Sequence, residues 1–104
     1  MFARASMVEG SADQVDAGIA KLEHDILGEL QQVDGFSGIL GCVDRGTGHT
    51  LVITLWETEQ ALQASEERAN QLRSEASASL GASAQPRVER YEVVLQEMRT
   101  PAHA

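Results

Sequence analysis

The chain has 104 residues, 42% of them hydrophobic, and sixteen acidic against eight basic side chains give a net charge of -8. That length fits one domain, and that apolar content supports a packed core rather than a disordered chain. The acidic balance repels phosphate backbones and anionic lipid, which excludes nucleic-acid and membrane-surface binding as expected roles.

The first stretch, "FARASMVE" (2–9), alternates Phe2, Arg4, Ser6 and Val8 against Ala3, Ala5 and Met7, and predicts a strand. Ser11 with Gln14 three residues on has the spacing of a capping box. Behind it Val15, Ile19, Leu22, Ile26 and Leu30 form one apolar stripe, which predicts a long amphipathic helix closed near Gly35. "FSGILGCVD" (36–44) predicts a second strand and "TLVITLW" (50–56) a third, joined by the turn "RGTGH" (45–49). Thr58 is placed as the N-cap of a second helix, with Glu59 in its first turn. Leu62, Ala69, Leu72, Ala76 and Leu80 line that helix with a thin apolar face. After the loop "GASAQP" (81–86), "RVERYEVVLQEM" (87–98) predicts a long final strand with Tyr91, Val93 and Leu95 on one face. Residues 1–98 are expected to form one domain, and "RTPAHA" (99–104) a flexible tail.

The order β-α-β-β-α-β predicts an α+β, ferredoxin-like fold, with two helices over one face of a four-stranded antiparallel sheet. The other face is apolar too. Leu51, Ile53 and Leu55 alternate with Val52, Thr54 and Trp56, and Leu40 and Cys42 with Ile39 and Val43. A sheet with one wet face would be polar at every second position. No helix remains to cover the second face, so a homodimer packed sheet to sheet by an isologous contact is expected. Cys42 is the sole cysteine, so no internal disulfide or multi-thiolate site can form. "MFARASMVEG" lacks an apolar core behind a basic start, and no stretch reaches membrane-spanning length, so a cytoplasmic protein is expected.

A β-α-β-β-α-β chain with "GFSG" opening strand 2, "VITLWETEQAL" running from strand 3 into helix 2, and a long last strand resembles the antibiotic biosynthesis monooxygenase (ABM) family of the dimeric α/β-barrel superfamily. The resemblance covers residues 1–98 and is similar in particular to its short, uncharacterised bacterial members. It implies a dimeric α/β barrel and a pocket between sheet and helices. It also implies either cofactor-free oxidation of a small phenolic or quinol-type aromatic, or haem degradation. Trp56 matches the tryptophan that ends strand 3 in the haem-degrading branch. That branch also has an asparagine on strand 1, where this chain has Ala3, and a histidine on helix 2, where this chain has none. Haem is therefore disfavoured, and no cofactor is expected.

Trp56 has two readings: a plug of the sheet end beneath helix 2, or one wall of a pocket for an aromatic ligand. Arg4 and Ser6 lie on a central strand and need polar partners; Arg4 either pairs with an acid such as Glu92 or holds a phenolate or carboxylate. Tyr91 either lines the same pocket or packs in the sheet. Asn70 either reaches the pocket or faces solvent. No group has the setting of a catalytic base, so the catalytic residues are unassigned. His24, His49 and His103 have no metal-ligand spacing, so no metal is expected. "SEER" (65–68) is read as a solvated helix face. The functional expectation is a cofactor-independent monooxygenase acting on a small aromatic; the alternative is a non-catalytic homodimer that binds a small ligand.

Overall fold

Segments rich in β-branched and aliphatic residues become strands β1 (Phe2–Glu9), β2 (Phe36–Val43), β3 (His49–Trp56) and β4 (Arg87–Glu92) in the computed structural model, which describes residues 1–99. From residue 100 onward the expected tail lies outside the described residues. The strands form one antiparallel sheet in the order β2-β3-β1-β4. β1 is central, with Ala5 aligned on Ile53 of β3 and on Glu89 of β4. This is the ferredoxin-like topology expected from the order of elements. The β2–β3 turn closes through the N–H of Gly48 donating to the carbonyl of Asp44 (2.8 Å), and Gly48 adopts φ +83°, which favours glycine.

The first helical region comprises a 3₁₀ turn (Ala12–Gln14), α1 (Val15–Lys21), a π-helical turn (Leu22–Ile26) and α2 (Leu27–Leu30). The predicted stripe faces inward, with Val15, Ile26 and Leu30 buried and Ile19 and Leu22 half-buried. Nothing in the sequence accounts for the wide turn. The capping box does not form. The Ser11 hydroxyl donates to the Asp13 carboxylate instead, a charged and therefore stronger acceptor. Gly35 takes φ +80° as expected, and a side chain there would collide with Ala61.

Thr58 does cap the second helix, its hydroxyl accepting from the N–H of Ala61 at 3.0 Å. That helix divides at Ser65 into α3 (Glu59–Ala64) and α4 (Glu66–Ser79). The Ser65 hydroxyl donates to the carbonyl of Leu62 at 2.7 Å, a local bond of the kind that competes with helix continuity.

The last strand is shorter than predicted, ending at Glu92 rather than residue 98. β4 is an edge strand whose one partner is β1. β1 starts at Phe2, which aligns with Glu92, and only the N–H of Val93 finds a further carbonyl, that of Met1 (2.9 Å). Beyond it Val94, Leu95 and Met98 are exposed.

The helices cover the sheet face that carries Arg4, Ser6, Val8, Val52, Thr54 and Trp56. The core joins Ile26, Leu30, Trp56, Leu62, Leu72 and Ala76. Strand alternation places Ala3, Ala5, Met7, Leu40, Cys42, Leu51, Ile53 and Leu55 on the opposite face. No helix lies over that face among the described residues, and no helix there is long and apolar enough to cross a membrane.

Candidate functional site

Arg4 sits mid-way along the central strand, and alternation turns it under the helices. Its side chain is 2% exposed. An unpaired charge at that depth would cost several kcal/mol, so the surroundings must answer it. Its Nη2 donates to the carbonyl of Leu62 (2.8 Å) and to the Ser65 hydroxyl (3.0 Å), and lies 3.0 Å from a Glu66 carboxylate oxygen. The guanidinium also stands 5.6 Å from the centre of the Trp56 ring, within cation–π range. The break at Ser65 matters here, since it presents both a hydroxyl and the Leu62 carbonyl to Arg4. The expected partner Glu92 is not used. It is exposed and aligns with Phe2, while the residue facing Arg4 across the ladder is Arg90.

Glu66 binds both arginines, accepting from Arg90 Nη2 at 2.7 Å and pairing with Arg4. Bonds from Arg90 and then Arg4 hold its carboxyl down at about 2, against the opposing effect of burial. Burial pushes the Arg4 guanidinium below its ordinary value, and Glu66 partly restores it. "SEER" is thus not a simple solvated face: Ser65 is buried and Glu66 half-buried. A depressed carboxylate contributes stability above its unfolded pKa and loses it as pH falls toward the folded value. Glu66→Gln should therefore destabilise the protein at pH 7 by about 1–2 kcal/mol, a figure discounted for the partial exposure of Glu66. The gap between wild type and variant should close as pH falls from about 4.5 to about 2. Thermal melts across that range test it, and a gap independent of pH would refute the role given to Glu66.

Beside this cluster is a cavity of about 50 Å³ between sheet and helices. Arg4, Ser6 and Thr54 line it from the sheet, Leu22, Ile26 and Leu30 from the first helical region, and Ala69, Leu72, Arg73 and Ala76 from α4. Its walls are largely apolar, yet two guanidiniums meet it. Arg73 is held at its outer end by Asn70 Oδ1 (2.7 and 2.9 Å), and burial and the charge of Arg4 push its pKa down. Arg4 Nε and Nη1 and Arg73 Nε are buried without a hydrogen-bond partner among the described residues. One carboxylate, Glu66, serves this group of cations. The arrangement can therefore bind an anion whose remainder is apolar.

Of the residues singled out in the sequence, Arg4 and Ser6 line this cavity. Trp56 lies behind it. It is fully buried, donates from Nε1 to the Thr54 hydroxyl (3.0 Å), and packs edge-on to Phe36 with centroids 5.6 Å apart. Asn70 is exposed and reaches the site only through Arg73. Tyr91 is 51% exposed, aligns with Ala3 on the other face of the sheet, and donates to Glu89, so the sheet separates it from the cavity. Sequence reasoning missed Arg73, Thr54, Glu66 and Arg90. Arg73 left a signal: it stands four residues after Ala69 and three before Ala76, on the apolar stripe itself. No three His, Cys, Asp or Glu side chains among the described residues group to hold a metal ion.

No protein-family model matches the sequence. Uncharacterized protein Rv2558 of Mycobacterium tuberculosis is 34% identical over 103 residues, 99% of this chain but 43% of that protein. The chain thus spans less than half the length of the curated relatives it matches. Among solved structures, a monooxygenase from the ActVA-Orf6 gene of Streptomyces coelicolor, in complex with Nanaomycin D, superposes with a TM-score of 0.75 at 14% identity, over 95% of this chain and 92% of that one. MhuD carrying manganese protoporphyrin IX gives a TM-score of 0.68 at 22% identity, over 95% and 100% of the two chains. A dimeric ferredoxin-like protein from an uncultured marine organism gives 0.66 at 12% identity, over 95% and 92%. The cavity here does not fit a porphyrin: no histidine lines it, and at about 50 Å³ it holds little more than a few waters. The chain has a ferredoxin-like fold, and solved antibiotic biosynthesis monooxygenases are among the structures that share it.

Proposed function

We propose that this chain is an ABM-like homodimer whose cavity takes the anion of a small phenol or enol, with its ring among the apolar residues and its oxygen on Arg4 and Arg73. The observation that carries this reading is a pair of nitrogens, Nε and Nη1, without a partner among the described residues, on a guanidinium 2% exposed at an apolar cavity. Two cations lower the pKa of a bound phenol, so the site favours the phenolate without a dedicated base. Consistent with that, no histidine, carboxylate or thiol lines the cavity. A desolvated phenolate is a reductant, and passing an electron to dioxygen from it requires positioning and charge stabilisation rather than a cofactor. Admission of a ring requires α4 to move outward. Ala69 and Ala76 make that movement less costly than leucines would, because they bury less surface.

The dimer in this reading uses the open sheet face. In a protein of net charge -8 that face carries Arg87 and Glu89, which pair at 3.2 Å and cancel, so two acidic copies can meet there. Native mass should correspond to two chains.

Trp56, the only tryptophan, is a built-in reporter in cation–π contact with Arg4. Titration with hydroquinones, anthrones and substituted phenols should give saturable quenching, strongest for compounds ionised at the working pH. Oxygen uptake with the same compounds separates the two functional readings. Quenching with uptake supports a monooxygenase, and quenching without it the non-catalytic binding dimer. Absence of quenching by every anionic aromatic would overturn the site.

A further inference from the structure

Three arginines gather beside the cavity between sheet and helices. Arg4 and Arg73 line it, and Arg90 aligns with Arg4 on the neighbouring strand. Among the described residues Glu66 is the one carboxylate paired with any of them, and it serves Arg4 and Arg90. Arg73 is held through Asn70, a neutral amide. Three guanidiniums against one carboxylate leave a surplus of two positive charges, inside a chain whose net charge is -8. The charges of Arg4 and Arg90 both act on Arg73, so the surplus is felt within the cluster. In a partly desolvated site such repulsion is weakly screened, and a counter-ion relieves it.

The donors left over belong to residues that line the cavity. Arg4 Nε and Nη1 and Arg73 Nε are buried without a hydrogen-bond partner among the described residues, and the Arg4 side chain is 2% exposed. The Thr54 hydroxyl accepts from Trp56 Nε1 and keeps its own proton to donate. No lining residue carries a carboxylate or an amide side chain. Water there would meet donors but find few acceptors for its own protons, whereas an anion accepts from every donor and offers none. At about 50 Å³ the space admits a halide or a planar nitrate, not a tetrahedral phosphate or a ring. We infer that the closed cavity is a binding site for a small monovalent inorganic anion of the class of chloride or nitrate, held by Arg4, Arg73 and Thr54. This occupant enters without displacement of α4, unlike the aromatic anion proposed above, so the site stands independently of that reading. Where both bind, the aromatic anion must expel the inorganic one, and the identity of the salt regulates the site beyond its ionic strength.

The test is a melt of the full chain at constant ionic strength, with gluconate, too bulky for the cavity, replaced stepwise by chloride. For a site of dissociation constant about 10 mM, about 50 mM chloride should raise the melting temperature by about 5 °C. Nitrate should act like chloride, and sulfate at equal ionic strength should not. Arg73→Gln removes a charge at a half-buried position and should weaken chloride binding about tenfold, while Arg73→Lys should retain most of it. Arg45→Gln, at an exposed arginine paired with Asp16, should leave the increment unchanged. Line broadening in chloride NMR, read far below the melt, makes the same comparison on folded protein. An equal increment from sulfate, an increment unchanged in Arg73→Gln, or none in wild type would overturn the inference. Chloride should also raise the half-saturation of phenolate quenching of Trp56. Quenching that is indifferent to chloride overturns the inorganic site and leaves the phenolate reading standing. A chloride increment lost in Arg73→Gln, with no quenching by any phenolate, supports the inorganic site and removes the phenolate reading.

Discussion

Arg4→Met should abolish saturable quenching of Trp56 by phenolate ligands and lower stability by about 3 kcal/mol, near the low end for breaking a buried charge pair. The low end applies because Glu66 keeps Arg90 and the Leu62 carbonyl keeps the Ser65 hydroxyl, so no charge is left stranded. Methionine fills similar length without a donor, which limits the cavity left behind. Arg4→Lys should give an intermediate result. An ammonium keeps the charge but lacks the fork that reaches Leu62, Ser65 and Glu66 together. Isothermal titration at a temperature well below the melt separates the two effects. A folded Arg4→Met protein that binds phenolates as tightly as wild type would refute the assignment of Arg4 to the anion.

Trp56→Ala should be the most destabilising single substitution among the core residues, costing about 4 kcal/mol, the range for removing a fully buried large aromatic. For a chain of this length that lowers the melting temperature by about 20 °C, measured by circular dichroism because the fluorophore is gone. The loss has three sources: contact with Phe36, the indole N–H bond to Thr54, and the ring face beneath the Arg4 guanidinium. Trp56→Phe restores part of the first and third and should cost about 1–2 kcal/mol. Because Trp56 holds Arg4 from behind, Trp56→Phe should weaken phenolate binding by less than Arg4→Met does. The reverse order would mean that the ring, not the guanidinium, is the main contact.

Much of the fold was legible because period and polarity act locally. Val15, Ile19, Leu22, Ile26 and Leu30 fix one helix face, and Thr58 caps the next helix through a bond to Ala61, three residues away. The two apolar faces of β2 and β3 likewise follow from alternation. Where local reasoning failed, a competing contact prevailed. Ser11 found the Asp13 carboxylate before the backbone N–H of a capping box. Ser65 turned to the Leu62 carbonyl and divided a helix whose stripe runs on past it. The site was half legible. Arg4 and Ser6 announced themselves as polar residues on a buried strand face, but Arg73 was hidden among alanines and Glu66 inside a charged run.

The sequence by itself determined the element order, the antiparallel ferredoxin-like sheet, the buried helix stripes and the presence of a second apolar sheet face. Each of these depends on residues a few positions apart, whose periodicity dictates which side meets water. Only the tertiary structure decided which carboxylate answers Arg4. Glu66 is 62 positions away in the chain, while Glu92 and Arg90 stand two residues of strand register apart. It also decided that Tyr91 and Arg4 stand on opposite faces, that Trp56 supports Arg4 rather than lining the cavity, and that β4 stops where β1 can no longer pair with it. Register, side-chain reach and the end of a hydrogen-bond ladder are properties of two segments brought together, and neither segment encodes them alone.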